Sequence, residues 1–453
     1  MFKLRYYQKE AIDTCLKFFN SRVIKKSVAV LPCAAGKSII IAEIANSLDA
    51  PVLLLQPSKE LLKQNYNKLI SIGGEAEIFS ASLDTKNIGK LTYATIGSIK
   101  NKTADFKELG LKYVIIDECH YNTKRNGQID KFLKTVGITK VLGLTATPVE
   151  LGNTMDGSVL RMLNRSRNNM FSDIIFCTQI KEMVENNFWT PVEYRQVAVN
   201  DSMLSYNSTG TEFTEYSIKK FYEENEINST VTATIKQLLD QGYNSILVTV
   251  PSVEEANTVQ DYFNVEYVKS LHSKVKSKER DKIVNDFLNG VVKVVVQVTV
   301  LSTGFDYPEL EVVVDAMPTN SIARYYQFLA RVVRIHENKH NALAIDISGN
   351  YERFGKLDQI EFKDIENYGW GMFINDELRT SIPLKSDKKP KIQELIAKRR
   401  ELPIGIIPWG KYKGKKADEL KDKGYMEWCL KNWNFKKYKV EWLKKQFENN
   451  LEN

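Results

Sequence analysis

The stretch SVAVLPCAAGKSIIIAEIANSL, residues 27–48, decides the fold. SVAVLP is a run of β-branched and aliphatic residues of strand length, and GKSIIIAEIANSL is helix-like. Between them lies a turn of small residues, Cys33, Ala34, Ala35 and Gly36. A strand that passes through such a turn into a helix aims backbone N–H groups at one spot, where the helix dipole also favours an anion. Lys37 and Ser38 then fall where an ammonium reaches phosphates and a hydroxyl reaches a divalent cation. Leu31 stands where such loops commonly open with glycine, and on this stretch alone a tight β–α turn without a ligand remains an alternative.

The same rhythm extends on both sides. VLLLQP (52–57), the helix-like SKELLKQNYNKLI (58–70), YVIIDE (113–118) and KVLGLTATP (140–148) continue it. NSILVTV (244–250), VVKVVVQVTVL (291–301), EVVVDAM (311–317) and ALAIDIS (342–348) form a second set. Apolar strand runs alternating with helices predict parallel sheets buried on both faces, hence an α/β fold of two tandem domains with a cleft between them. The expected divisions are a first domain over 1–155, connecting helices and loops over the polar, Asn-rich 156–228, a second domain over 229–350, and a basic, aromatic C-terminal module over 351–453.

VIIDECH, residues 114–120, adds chemistry. A strand ending in adjacent carboxylates puts Asp117 and Glu118 at the carboxyl edge of a sheet, where nucleotide sites form. Asp117 suits a metal ligand, direct or through water, and Glu118 suits a group that orients and activates an attacking water. Capping the next helix is the plainer alternative for the aspartate.

Composition narrows the class. The 453 residues are 43% hydrophobic and 26% charged, ordinary for a globular protein of two or three domains. The longest apolar runs are too short for a bilayer and the N-terminus lacks a secretory apolar core, so a cytoplasmic protein is expected. The five cysteines, Cys15, Cys33, Cys119, Cys177 and Cys429, are scattered, which predicts reduced thiols and no structural metal. A net charge of +8 is compatible with a polyanionic partner.

These motifs resemble the superfamily 2 helicases of the DExH kind, over most of residues 1–340. The resemblance implies two RecA-like domains with ATP and Mg²⁺ between them. Lys37 would meet the phosphates, Ser38 and Asp117 the metal, and Glu118 the attacking water. LRYYQKEAI (4–12) fits the adenine-recognition element, implying that Gln8, with Arg5, contacts the base. QPSKELLKQ (56–64), which begins with Gln56, Pro57 and Ser58, and YATIGSI (93–99), with Thr95, resemble segments that grip a nucleic-acid backbone. Thr249 and His272 occupy further strand-binding segments of the second domain. LSTGFDYPEL (301–310) would offer Ser302 and Thr303 to DNA, and Gly304 and Asp306 to the nucleotide site. LTATP (144–148) would link hydrolysis to domain movement through Thr145 and Thr147, with His120 coupling the ATP site to it.

QFLARVVR (327–334) resembles the arginine-finger helix, and Gln327, Arg331 and Arg334 at i, i+4 and i+7 would share one helical face. Guanidinium groups inserted from the second domain can stabilise charge on a transferring phosphoryl group, tying hydrolysis to closure. Leu31, Ala330 in place of a glycine and Val298 in place of a threonine depart from the family pattern without removing a charged catalytic group. The form of the motifs is similar to phage and recombination-type DNA helicases rather than DEAD-box enzymes. The resemblance thus implies an ATP-dependent DNA helicase or translocase acting on forked or branched DNA. An RNA helicase and an ATP-gated DNA-binding protein that does not unwind remain the alternatives.

The small C-terminal module is expected to be α-rich. Its basic segment KSDKKPKIQELIAKRR (385–400) and later lysines, with Trp409, Tyr412, Trp428, Trp433, Phe435 and Trp442, either contact phosphates and stack on bases or surround a small core.

Overall fold

The computed structural model describes residues 3–121, 123–154, 157–166, 169–300, 307–366, 368–381, 405, 407, 411–412, 415–433, 435 and 441–452. The chain divides into two compact units, Met1–Gly152 with Val159–Ile382, and Asn153–Ser158 with Pro383–Asn453. The larger unit contains two parallel-sheet lobes.

The first lobe runs through α1 (Tyr6–Asn20), β1 (Lys26–Val30), α2 (Lys37–Asn46), β2 (Val52–Leu55), α3 (Lys59–Ser71), β3 (Glu77–Ser80), β4 (Thr85–Lys86) and β5 (Leu91–Ala94). After the short α4 (Ile96–Ile99) and α5 (Thr103–Glu108) come β6 (Tyr113–Ile116), α6 (Gln128–Val136), β7 (Val141–Thr145), the paired β8 (Val149–Thr154) and β9 (Gly157–Met162), and β10 (Asp173–Cys177). Its sheet has the order β10-β1-β7-β6-β2-β5-β3-β4. A helix α7 (Ile180–Glu185) then leads to the second lobe: β11 (Val192–Gln196), α8 (Glu215–Glu224), α9 (Ile227–Asp240), β12 (Ile246–Thr249), α10 (Val253–Phe263), β13 (Val268–Leu271) and α11 (Ser277–Leu288). It is completed by β14 (Val294–Gln297), β15 (Val312–Asp315), α12 (Ile322–Leu329) and β16 (Ala342–Asp346), in the all-parallel order β11-β16-β15-β12-β14-β13.

Every residue of β2, β6, β12, β14 and β15 is buried, because helices cover both faces of a parallel sheet. The register aligns the strand ends: Val30 lies beside Thr145, and Leu55 beside Ile116. The residues that follow, Leu31, Gln56, Asp117 and Ala146, therefore leave the sheet along one edge.

Three expectations are corrected. Residues 156–228 are more than connecting helices and loops, for they supply β10 to the first sheet and β11 to the second. Both are edge strands with one neighbour each; β10 packs Ile174 into the core, whereas β11 is partly exposed along its length, so its sequence VEYRQ carries no apolar run to betray it. Residues 360–378 likewise form an antiparallel sheet, β17 (Ile360–Ile365), β18 (Gly369–Ile374) and β19 (Glu377–Leu378), which follows α13 (Asn350–Phe354) and belongs to the larger unit. Finally, α12 stops at Leu329, so Arg331 lies in the turn that follows the helix carrying Gln327, and Arg334 lies just past that turn. The β-branched pair Val332 and Val333 is fully buried there, and the Lys339 ammonium takes the Val332 carbonyl at 3.0 Å.

In the smaller unit, α14 (Lys423–Asn432) and α15 (Glu441–Glu452) enclose Met426, Cys429, Phe435, Leu443 and Phe447. Trp433 and Trp442 pack against that core, whereas Trp428 is 55% exposed and stacks on Tyr425.

Candidate nucleotide site

The loop between β1 and α2 begins inside the core. Leu31 is fully buried, and its N–H continues the β1–β7 ladder to the Thr145 carbonyl at 3.0 Å. Its side chain thus serves the sheet, and the turn proper starts after it. Ala34 has φ +57° and Gly36 φ +81°, both left-handed. Glycine adopts that conformation freely, and a side chain does so at roughly 1 kcal/mol or more.

Gln8 braces the loop. Its Nε2 donates to the Ala35 carbonyl at 2.9 Å and its Oε1 accepts from the Arg5 N–H at 2.9 Å, while the Tyr7 hydroxyl donates to the same Ala35 carbonyl at 3.0 Å. Gln8 was expected at the base; here its amide holds the phosphate loop, although it also lines the cavity above it. The Cys33 N–H donates to the Tyr326 hydroxyl at 3.1 Å, leaving the amides nearer the start of α2 for an anion.

Lys37 Nζ lies 3.1 Å from Glu118 Oε1, with both side chains about nine-tenths buried. Burial opposes the Lys37 charge, but Glu118, with Cys33 and Asp117, raises its pKa overall. Burial likewise disfavours the Glu118 charge, yet Lys37 holds the carboxyl below the usual range. Asp117 behaves oppositely: burial and then the Glu118 charge push it up to about 6. Its Oδ2 accepts from Asn65 Nδ2 at 2.7 Å and its Oδ1 from the Glu118 N–H at 2.9 Å. Glu118 itself has a left-handed backbone, φ +46°. A left-handed backbone at a non-glycine residue carries strain that the surroundings must hold, and here the residue is one partner of a buried ion pair.

A cavity of about 690 Å³ joins these groups to the second lobe. Lys37, Ser38, Asp117 and Glu118 line one wall and Arg331 and Arg334 another, with Arg5 and Gln8 at the N-terminal end. The two arginines line it from beyond the end of α12 rather than from a continuous helix. One hydroxyl, Ser38, and one carboxylate, Asp117, suit Mg²⁺, which binds through few protein ligands and keeps water and phosphate oxygens.

Behind the carboxylates a polar chain crosses between the lobes. Tyr121 donates to Gln327 Oε1 at 3.1 Å, Gln327 Nε2 lies 3.3 Å from His120 Nε2, and His120 Nδ1 lies 2.7 Å from Thr145 Oγ1. Thr145 Oγ1 also accepts from the Thr147 N–H at 3.0 Å. Burial lowers the His120 pKa to about 4, so the imidazole is neutral near pH 7 and its approach to Glu118 is a polar contact rather than an ion pair.

The residues assigned to DNA are less uniform. Gln56, Pro57, Ser58 and Thr95 line a second cavity of about 420 Å³, which Asp117 and Glu118 also line. Gln56 is only 3% exposed and accepts from Asn65 at 2.8 Å, and Ser58 caps α3 by accepting from the Leu61 N–H. Thr249 is buried beside a third cavity that His120 and Tyr121 also line, and His272, also buried, bonds Asn257. These four buried or capping positions hold the structure, and the resemblance alone assigns them to DNA. Ser302, Thr303, Gly304 and Asp306 lie outside the described residues, as do Trp409 and the basic segment 385–400.

Sequence reasoning missed Asn65, Trp189 and Tyr326. Asn65 left a signal, since it stands between Leu62 and Leu69 on the buried stripe of α3, where an unpaired amide would be costly. Trp189 and Tyr326 left none.

Residues 1–150 match the family described as "Type III restriction enzyme, res subunit", and residues 229–336 match "Helicase conserved C-terminal domain". The chain is 26% identical over 345 residues to a "51.5 kDa protein" of Lactococcus phage (isolate 7-9), covering 75% of this chain and 69% of that one. A Saccharomyces cerevisiae relative matches at 22% identity, and the alignment spans only 51% of it. Among solved structures, the "ATP-dependent Type ISP restriction-modification enzyme LlaBIII bound to DNA" superposes with a TM-score of 0.56 at 19% identity, covering 76% of this chain and 28% of that one. "S. cerevisiae Dbp5 bound to RNA and ADP BeF3" gives 0.50 at 15% identity, covering 76% and 83%. With both lobes matched in order and the cleft residues assembled between them, the chain belongs to the superfamily 2 helicases.

Proposed function

We propose that the chain is an ATP-driven DNA helicase or translocase that unwinds forked DNA or migrates branched DNA in replication, recombination or repair. The observation that carries the reading is the cavity in which Arg331 and Arg334 of the second lobe face Lys37, Ser38, Asp117 and Glu118 of the first. ATP is the substrate of that cavity. Lys37 exchanges Glu118 for the phosphates, which frees the Glu118 carboxylate to orient the attacking water and accept its proton. Arg331 and Arg334 stabilise the developing phosphoryl charge only while the lobes are closed, so turnover drives opening and closing. Ser38 and Asp117 would hold Mg²⁺, which would supply electrostatic neutralisation of the phosphates.

A DNA track is supported by the net charge of +8, by the likeness to a phage protein and by the family match to a restriction-enzyme subunit. Such a motor needs phosphate contacts and little base readout. In this reading the protein works in the cytoplasm, and no helix among the described residues is long and apolar enough to cross a membrane.

The test is ATP hydrolysis by wild type and Lys37→Ala with no polymer, single-stranded DNA, forked DNA, four-way junctions and RNA, followed by strand-separation assays. Stimulation by forked or branched DNA that disappears in the variant supports the reading. Stimulation by RNA alone replaces the substrate, and normal ATPase without unwinding or migration at any salt concentration removes the helicase step.

A further inference from the structure

The phosphate loop turns left-handed at Ala34, φ +57°, a position where a Cβ works against the turn. A loop built this way relaxes unless its surroundings over-determine it. Four side-chain hydrogen bonds do so here. Tyr7 and Gln8 of the first lobe hold the Ala35 carbonyl, as described above. The other two come from beyond the first sheet: the Trp189 indole Nε1 donates to the Cys33 carbonyl at 3.0 Å, and the Tyr326 hydroxyl accepts from the Cys33 N–H at 3.1 Å.

The placement is specific to the strained residue. The Cys33 carbonyl belongs to the peptide that precedes Ala34, so fixing that plane fixes the torsion Ala34 must hold. The Ala35 carbonyl belongs to the peptide that enters Gly36. Trp189 is 4% exposed and Tyr326 1% exposed, so their polar atoms have no water to turn to and are committed to the loop. Trp189 lies on the segment that joins the two sheets, and Tyr326 lies on α12 beside Gln327.

We infer that Trp189 and Tyr326 are positioning residues for nucleotide binding: they hold from outside, through the two peptides that flank Cys33, a loop shape that glycine at position 34 would hold by itself. The inference rests on the nucleotide reading proposed above. It also makes the loop shape answer to the second lobe, since Tyr326 moves with α12.

The experiment compares Tyr326→Phe, which keeps the ring and removes only the O–H, and Trp189→Phe, which removes the N–H and leaves a smaller ring, each with and without Ala34→Gly. The readouts are equilibrium binding of a fluorescent ADP and the separate kcat and KM of ATP hydrolysis, with melting curves as the folding control. Each single variant is expected to weaken ADP at least fivefold and to raise KM more than it lowers kcat. Ala34→Gly is expected to bring both back within twofold of wild type. Unchanged ADP affinity in both variants overturns the inference, and so does an equal loss with and without Ala34→Gly. If Trp189→Phe does not fold, Tyr326→Phe decides by the same criteria. Failure of the folded wild type to bind ADP overturns the nucleotide reading itself, an outcome distinct from binding that ignores the variants.

Discussion

Gln327 Nε2 of the second lobe sits 3.3 Å from His120 Nε2 of the first, and the contact settles which way the imidazole points its proton. Tyr121 donates to Gln327 Oε1, so the amide presents its N–H₂ to His120, whose Nε2 must accept. His120 Nδ1–H then donates to Thr145 Oγ1, which has a second lone pair for the Thr147 N–H. One neutral tautomer satisfies the whole chain, in agreement with a pKa lowered to about 4. The second lobe is thereby wired to the threonines of LTATP through a residue adjacent to Cys119 and the carboxylates.

Gln327→Ala breaks that chain without touching Lys37 or Glu118. Polymer-stimulated ATP turnover is expected to fall about tenfold, the equivalent of roughly 1.4 kcal/mol in the barrier, while turnover without polymer changes less. Gln327→Glu should be worse, because a carboxylate facing Nε2 draws a proton onto His120. Steady-state ATPase with and without DNA checks both, and equal losses under the two conditions would remove His120 and Gln327 from coupling.

The Lys37–Glu118 pair predicts a stability effect separable from catalysis. Removing one partner of a buried pair strands the other charge, at a cost of about 3 kcal/mol, whereas neutralising both leaves little uncompensated. Lys37→Met is therefore expected to lower the urea midpoint of the larger unit, and Lys37→Met with Glu118→Gln to recover most of it. Both proteins should be inactive as ATPases, so only the denaturation curves distinguish them. Equal midpoints for single and double variants would mean that the pair is not buried in solution.

The legibility of this chain followed burial. Central strands such as VLLL, YVII, ILVT and VVVD are covered on both faces, so the sequence has no choice but continuous apolar runs, and both lobes could be read from them. Edge strands need cover on fewer sides, and β11 and β17 use polar residues that read as loops. Within the site, Lys37, Ser38, Asp117 and Glu118 were legible because each directly follows a strand or opens a helix, where register alone places it. Gln56 also follows a strand, but its side chain turns inward to Asn65, a partner nine residues on whose meaning appears only when α3 packs.

Gly36 offers a sharper local test. Its φ is +81°, and a Cβ there would come within 2.5 Å of Gln8 Nε2. Gly36→Ala should both strain the turn and push Gln8 off the Ala35 carbonyl, lowering ADP affinity at least tenfold, about 1.4 kcal/mol. Gln8→Ala in the same chain relieves the clash and leaves the backbone strain, so affinity should recover only in part. Full recovery in a binding titration would show that the clash was the whole effect and that the left-handed conformation costs nothing.

Asp315, at the end of β15, makes the stability of the second lobe depend on pH. It is 3% exposed; burial and then the neighbouring Asp346 carboxylate push its pKa up to about 7, against bonds from Asn350 Nδ2 at 2.8 Å and the Met317 N–H at 3.3 Å and the charge of Arg353. A carboxyl whose folded pKa lies above its unfolded value binds more protons when folded, so its contribution is complete below the unfolded pKa, near 4, and is lost as pH rises through about 7. The slope is at most about 1.4 kcal/mol per pH unit across that window and vanishes above it. Asp315→Asn cannot titrate, so the difference in denaturation midpoint between wild type and variant should move in the variant's favour from pH 5 to pH 7 and then stay constant. A difference that is flat from pH 5, or that moves the other way, would mean that Asp315 is already ionised in the folded lobe and that Asn350 and Arg353 outweigh its burial beside Asp346.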